Sequence, residues 1–271
     1  MVRFPNCKIN LGLHITGKRP DGFHALETIF YPVPLCDILE LVTSTTLTFQ
    51  SSGLSIPGNT DSNLCLKAYH LLKQDFPNMP PVQMHLHKII PMGAGLGGGS
   101  ADGAFALSLL NEKFSLGLTQ AQLIDYALQL GSDCPFFIIN QPCYATGRGE
   151  HLTPLSLDLS NHYFVLVNPA IHISTKWAFE QITPAPSKID LKEIVQTPIE
   201  AWRHQLFNDF EIPISKAHPA IGTIKNQLYE LGASYAAMTG SGSTVFGIFK
   251  TKPAQNLTHD LNYNAKIVRI N

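Results

Sequence analysis

The chain has 271 residues, of which 44% are hydrophobic and 14% charged, and its 19 Lys+Arg against 20 Asp+Glu leave a net charge of −1. At ~150 residues per domain this length suits about two domains, with a sizeable core. High apolar content with low net charge excludes a disordered chain, and the charge balance argues against a nucleic-acid binder, which is basic as a rule.

Five cysteines, Cys7, Cys36, Cys65, Cys134 and Cys143, are odd in number and widely spread, with no C-x-x-C. That pattern disfavours a disulfide framework or a zinc ribbon and suits a reducing cytoplasm. The first residues lack the apolar run of a signal peptide. Residues 89–110 hold one charge, Asp102, but glycines and a proline interrupt the stretch. We read it as a loop plus a buried helix, not a membrane span.

In chain order, Cys7, Ile9, Leu11, Leu13 and Ile15 alternate with Lys8, Asn10, Gly12 and His14, which predicts a half-buried strand. Residues 17–22 form a turn, a second strand runs to about Val33, and residues 37–49 make one or two more. Leu64, Ala68, Leu71 and Leu72 predict a helix behind Asp61-Ser62-Asn63, and Val82, Met84 and Leu86 another strand. A glycine-rich loop, residues 91–100, leads to a helix with Phe105 and Leu109 on one face. Thr119 and Gln122 form a capping-box pattern for a helix ending at Gly131. Residues 163–167 read as a strand, Ser174 or Thr175 caps a short helix holding Trp177 and Phe179, and residues 183–190 form a loop. From about 198 the pattern is helix, helix, strand, turn, strand, helix, strand. Ile221, Ile224, Leu228 and Leu231 mark one of those helices, and Gly232 stops it. A domain boundary is placed at 157/158, giving segments 1–157 and 158–271.

The loop Pro91-Met92-Gly93-Ala94-Gly95-Leu96-Gly97-Gly98-Gly99-Ser100 carries most of the chemical information. Five glycines in seven positions let backbone N–H groups converge, a following helix N-terminus adds partial positive charge, and Ser100 is placed to cap it. A phosphate fits such a cradle. No Lys follows the glycines, so this is not a Walker A loop. Gly93, Gly95 and Gly98 satisfy G-x-G-x-x-G, but the region about 20 residues on lacks the strand and acidic residue of a dinucleotide fold. Thr239-Gly240-Ser241-Gly242-Ser243 is either a plain hairpin turn or a second cover over a phosphate. Lys8, Asn10 and His14 are either solvated or cleft-facing. Asp133, before an apolar run, suits an N-cap or a catalytic base.

These segments, in this order, resemble the GHMP kinase superfamily, the group of galactokinase, homoserine kinase, mevalonate kinase and phosphomevalonate kinase. Lys8-Ile9-Asn10-Leu11, Gly17-Lys18-Arg19-Pro20-Asp21-Gly22-Phe23-His24, the loop 91–100, Gly131-Ser132-Asp133-Cys134-Pro135-Phe136-Phe137 and residues 239–243 are similar to the branch whose substrate is a CDP-linked methylerythritol. The resemblance implies an α+β, two-domain GHMP kinase fold. It has an N-terminal ribosomal-protein-S5-domain-2-like α/β domain, a C-terminal ferredoxin-like α+β domain, and the active-site cleft between them. It further implies transfer of the ATP γ-phosphate to the 2-hydroxyl of that alcohol, a step of the non-mevalonate isoprenoid route.

By match of position, Asp133 would be the general base and Lys8 its cationic partner. Pro91, Met92, Gly93, Ala94, Gly95, Leu96, Gly97, Gly98, Gly99 and Ser100 would hold the ATP phosphates, with Mg²⁺ bridging their oxygens and no side chain assigned to the metal. Asn63 and Lys88 would line the adenosine. Phe23 and Phe179 would sandwich cytosine, His24 would meet its polar edge, and Asn10, Thr175, Gly240 and Ser241 would complete the alcohol's site. The partners implied are small molecules, with neither nucleic acid nor membrane, for a monomer or homodimer. One position departs: the family pattern reads Ser-Ser, and here Ala101 follows Ser100, which leaves water or Asp102 to replace a second hydroxyl. Two rivals are a GHMP kinase for mevalonate or homoserine, which has no need of Pro20–His24 and Phe179, and an NAD(P)-binding oxidoreductase.

Overall fold

The structure is a computed structural model that describes residues 1–254, 261 and 263–270. Its strands are β1 (Val2–Arg3), β2 (Asn6–Lys18), β3 (His24–Cys36), β4 (Ile38–Thr43), β5 (Thr48–Gly53), β6 (Val82–Lys88), β7 (Cys143–Thr146), β8 (His151–Pro154), β9 (Tyr163–Asn168), β10 (Tyr235–Met238), β11 (Val245–Phe249) and β12 (Asn264–Arg269). Its helices are α1 (Leu64–Asp75), α2 (Gly98–Lys113), α3 (Gln120–Leu130), α4 (Cys134–Ile139), α5 (Thr175–Glu180), α6 (Leu191–Ile194), α7 (Ile199–Trp202), α8 (Glu211–Ala217) and α9 (Pro219–Glu230). The chain folds as two compact units, each built from separated stretches. Met1–Cys7, Leu35–Met92 and Gly97–Gln141 form the first, and Lys8–Pro34, Gly93–Leu96 and Pro142–Asn271 the second.

In the first unit a sheet of order β1-β4-β6-β5 carries helices α1 to α4. Strand β4 runs antiparallel to β6, with Ile38 opposite His87, and β5 runs parallel to β6, with α1 as the crossover. Leu39, Leu41, Val82, Met84 and Leu86 bury one face of the sheet completely, as their period-2 spacing requires. Helix α2 is buried on several faces through Ala101, Ala104, Ala106, Leu107, Leu109 and Leu110, while Phe105 is only half-buried. It approaches α1 closely at Gly103, where a Cβ would lie 2.8 Å from Leu64 Cβ. The capping box of α3 forms as its sequence requires: Thr119 Oγ1 accepts from the Gln122 N–H, and Gln122 Oε1 accepts from the Thr119 N–H at 2.9 Å.

The second unit holds two sheets, β2-β3-β7-β8 and β10-β11-β9-β12. The latter is antiparallel throughout, with Phe246 opposite Leu166 and Lys266 on the other side of Leu166. Ile214 of α8 and Ile221, Ile224 and Leu228 of α9 cover it, in one core with Leu13, Ile15, Val165, Val167 and Phe210. The alternation of residues 7–15 suggested a strand wet on one side, and this is corrected: Asn6 to Ile15 are all buried. The polar row stays inside because its side chains hydrogen-bond to one another and to neighbouring segments. The helix expected between the last two strands falls on residues 255–260 and lies outside the described residues. Among the described residues no helix is long and apolar enough to cross a membrane.

Thr119→Ala removes the acceptor for the Gln122 N–H and should cost about 1 kcal/mol of stability. A thermal melt that shows no loss would remove the capping box from the forces that hold α3.

Candidate functional site

The polar row of β2 is ordered by a chain of hydrogen bonds within the second unit. Lys8, 4% exposed, donates from Nζ to Asn10 Oδ1 at 2.7 Å and lies 4.8 Å from the centre of the Phe30 ring. Asn10 donates from Nδ2 to Thr28 Oγ1 at 2.9 Å, and its backbone N–H donates to Thr239 Oγ1 at 3.0 Å. The amide of Asn10 is thereby fixed in orientation, and the lysine ammonium with it. A buried ammonium needs such acceptors, because leaving water without them is costly.

The same strand holds the middle of the glycine loop, Gly93–Leu96. The Lys8 N–H donates to the Leu96 carbonyl at 3.0 Å. Residues 239–243 join the antiparallel strands β10 and β11, so they form a hairpin loop, and that loop closes over Gly95. A Cβ on Gly95 would lie 2.1 Å from the Thr239 carbonyl oxygen, at φ +79°, so only glycine fits. The Thr239 hydroxyl lies 3.2 Å from the Gly95 carbonyl, and the Thr244 N–H donates to the Ala94 carbonyl at 3.3 Å. Asn208 holds the hairpin from behind, donating to the carbonyls of Met238 and Gly240 at 2.9 Å each. Thr175 and Ser241 meet through their hydroxyls at 3.3 Å.

The first unit holds the two ends of the loop, Pro91 and Met92 before it and Gly97 with the start of α2 at Gly98 after it. Gly97, in the left-handed region, is the N-cap, and no side chain caps α2. Ser100 is therefore not the cap its position suggested. It lies inside the first turn, hydrogen-bonded to the Cys134 thiol, whose pKa burial pushes up to about 12. A helix of this length with an uncapped N-terminus presents N–H groups and partial positive charge suited to an anion. Ala101 is fully buried.

Asp133 occupies the N-cap position of α4, yet its side chain makes no capping bond. Asn63 caps α1, its Oδ1 accepting from the Cys65 N–H at 2.9 Å. The ammonium of Lys88, expected beside adenosine, is 0% exposed and ion-paired with Asp37 and, at 2.7 Å, with Asp102. Asp102 is thereby committed inside the unit, which removes it as a surrogate for the missing second hydroxyl. Burial raises the Asp102 carboxyl to about 7, against the pull of Lys88.

The aromatic candidates lie in the second unit. Phe23 is 53% exposed at the hairpin turn, and the Arg148 guanidinium sits 4.9 Å from its ring centre. His24 stacks on Phe179 with ring centres 4.8 Å apart and an 18° tilt, and Phe210 meets Phe179 edge-on at 4.9 Å. One face of Phe179 is thus covered by an imidazole. Sequence reasoning did not single out Thr28, Arg148, Asn208, Asp209 or Thr239. Thr28, Asn208 and Asp209 have no glycine signal around them, Arg148 lies between Gly147 and Gly149, and Thr239 opens the glycine-serine motif. His14, in the same polar row, pairs through Nδ1 with Asp209 Oδ1 at 3.0 Å.

Residues 63–141 match the GHMP kinases N terminal domain and residues 191–266 the GHMP kinases C terminal domain. The chain is 49% identical over 254 residues to 4-diphosphocytidyl-2-C-methyl-D-erythritol kinase of Cytophaga hutchinsonii, covering 93% of this chain and 94% of that one. It is 51% identical over 262 residues to the protein of the same name from Bacteroides fragilis, covering 95% and 94%. A crystal structure of 4-(cytidine 5'-diphospho)-2C-methyl-D-erythritol kinase superposes with a TM-score of 0.86 at 28% identity, covering 99% of this chain and 98% of that one. Methanococcus jannaschii mevalonate kinase superposes at 0.73 with 13% identity, covering 100% and 98%, a likeness of fold alone.

The raised carboxyl of Asp102 has a consequence for stability. Its folded pKa of about 7 exceeds the ordinary value of 3.8, so folding disfavours the charged form. Stability from this group is whole below pH ~4 and is lost as pH rises toward 7. Asp102→Asn carries no such loss, so its melting temperature should gain on wild type between pH 5 and pH 8. A difference between the two melts that stays constant with pH would refute this.

Proposed function

The chain belongs to the GHMP kinases and, within them, to the 4-diphosphocytidyl-2-C-methyl-D-erythritol kinase family, and on that premise we propose that it transfers the γ-phosphate of ATP to the 2-hydroxyl of that cytidylyl alcohol. The observation that carries the reading is the fixed row Lys8–Asn10–Thr239, on the strand that also binds the glycine loop at Leu96. An oriented ammonium next to a closed glycine cradle is what phosphoryl transfer to an alcohol asks for, since that chemistry is mostly positioning and charge neutralisation.

Asp133 serves as the base. A tertiary hydroxyl has a very high pKa, and a carboxylate in hydrogen-bond reach takes its proton as the bond to phosphorus forms. Lys8 offsets the negative charge that grows on the oxygen. The loop 91–100 and the N-terminus of α2 hold the triphosphate, and Asn63 borders the adenosine. Asn10, Thr175, Gly240 and Ser241 orient the alcohol. Among the described residues no group of three His, Cys, Asp or Glu is arranged for a metal. Mg²⁺ would come in on phosphate oxygens, since this ion commonly keeps waters and few protein ligands. When bound, it neutralises phosphate charge.

Cytosine stacks between Phe23 and Phe179. His24, which stacks on Phe179, meets the polar edge of the base. The two family matches fall on either side of residues 157/158, which supports a domain division there. We place the enzyme in the cytoplasm, as a monomer or homodimer, with free thiols at all five cysteines. An NAD(P) oxidoreductase is disfavoured because α2 is followed by helix α3 and not by a strand with a ribose-binding acid.

Mixing protein, Mg·ATP and the cytidylyl alcohol should release ADP only when the alcohol carries cytidine. Release with mevalonate or homoserine instead would move the assignment to another GHMP kinase. Asp133→Asn should slow the chemical step ~10²–10⁴-fold with ATP binding kept, and normal turnover would remove Asp133 as base. Phe179→Ala should raise KM for the cytidylyl alcohol ~10-fold or more, one stacked base being worth about 1–3 kcal/mol. An unchanged KM would reject the stack.

A further inference from the structure

The function proposed above gives loop 91–100 the triphosphate, and resting on that reading we infer that Lys88 is a positioning residue for this loop, holding both of its ends through Asp37 and Asp102. The entry to the loop is bound by Asp37, whose Oδ1 accepts the backbone N–H groups of Ile89 and, at 2.8 Å, Ile90, just before Pro91. The other oxygen of Asp37 accepts from Lys88 Nζ. The exit from the loop is the first turns of α2, which carry Asp102, and Asp102 Oδ2 accepts from the same Nζ at 2.7 Å. One ammonium therefore joins the two ends, and all three residues lie within the first unit.

The position of the ammonium adds a second argument. A Cβ built on Gly98, the first residue of α2, would lie 3.1 Å from Lys88 Nζ and 2.8 Å from Ile90 Cγ2. Lys88 Nζ and its two carboxylate partners are thus packed against the first residue of α2. Glycine at 98 is what lets the ammonium come so near. The loop itself has few means of holding its own shape. Gly93, Gly95 and Gly97 all have positive φ, and glycine backbones are the most costly to order. Rigid ends set the spacing and aim of the N–H groups between them.

The weak point of the tie is on Asp102. Its Oδ1 is buried with no hydrogen-bond partner, so α2 is joined to Lys88 through Oδ2 alone. Asp37, by contrast, also holds two backbone N–H groups, and its loss would disturb the strand end itself. Asp102 is therefore the place to cut.

Asp102→Ala should raise the dissociation constant for Mg·ATP, measured by calorimetry, and KM for ATP ~10-fold, since misplaced binding groups cost factors of this size. KM for the cytidylyl alcohol should stay within about twofold. Asp102→Asn keeps an acceptor for Lys88 and should hold ATP affinity within ~3-fold of wild type. Should the alanine variant not fold, Asp102→Ser, whose hydroxyl is too short to reach the ammonium, takes its place with the same expectation. Unchanged ATP affinity in Ala or Ser would overturn the inference. So would an equal rise in both KM values, which marks general loosening. Calorimetry needs no acceptor, so a wild-type protein that binds Mg·ATP but ignores the cytidylyl alcohol would overturn the substrate assignment while the comparison of variants still decides the tie. A wild type that binds no Mg·ATP would overturn both.

Discussion

An ammonium group out of water must be surrounded by acceptors, and this chain buries two of them beside one loop. Lys8 is 4% exposed and Lys88 1%. Neither could stay inside unpaired, because an isolated buried charge costs far more than a hydrogen bond returns. Their acceptors dictate much else. Lys8 requires Asn10, Asn10 requires Thr28 and Thr239, and Thr239 brings the β10–β11 hairpin over Gly95. Lys88 requires Asp37 and Asp102, which bring the end of β6 and the start of α2 together.

The two pairings also differ in kind. Lys8 has the neutral amide of Asn10 among its neighbours. Lys88 stands between two carboxylates, so its charge is already matched inside the protein.

Elements with a period or a cap were legible in the sequence. The alternation of residues 82–86, the Thr119–Gln122 box and the 221–228 spacing all correspond to structure, because each follows from local backbone geometry. The glycine loop was legible as well, since no other composition explains so many glycines in a row. What escaped was set by distant partners. The buried polar face of β2 looked wet because alternation reports one apolar face and is silent about what covers the other. Lys88 looked like a ligand contact because its two carboxylates lie 51 and 14 residues away. Asn208 and Asp209 carried no pattern, and only tertiary structure shows that they hold the hairpin and His14. The stack of His24 on the ring of Phe179 also depends on a partner far along the chain.

The contact between Gly95 and Thr239 joins residues 144 positions apart, and that between Asn10 and Thr239 joins residues 229 apart. During synthesis the ribosome releases the glycine loop long before the hairpin that shapes it. Until then the nascent loop has neither its cover nor the hydroxyl that orients Asn10. The middle of the glycine loop therefore takes its final shape only after residue 239 has been made.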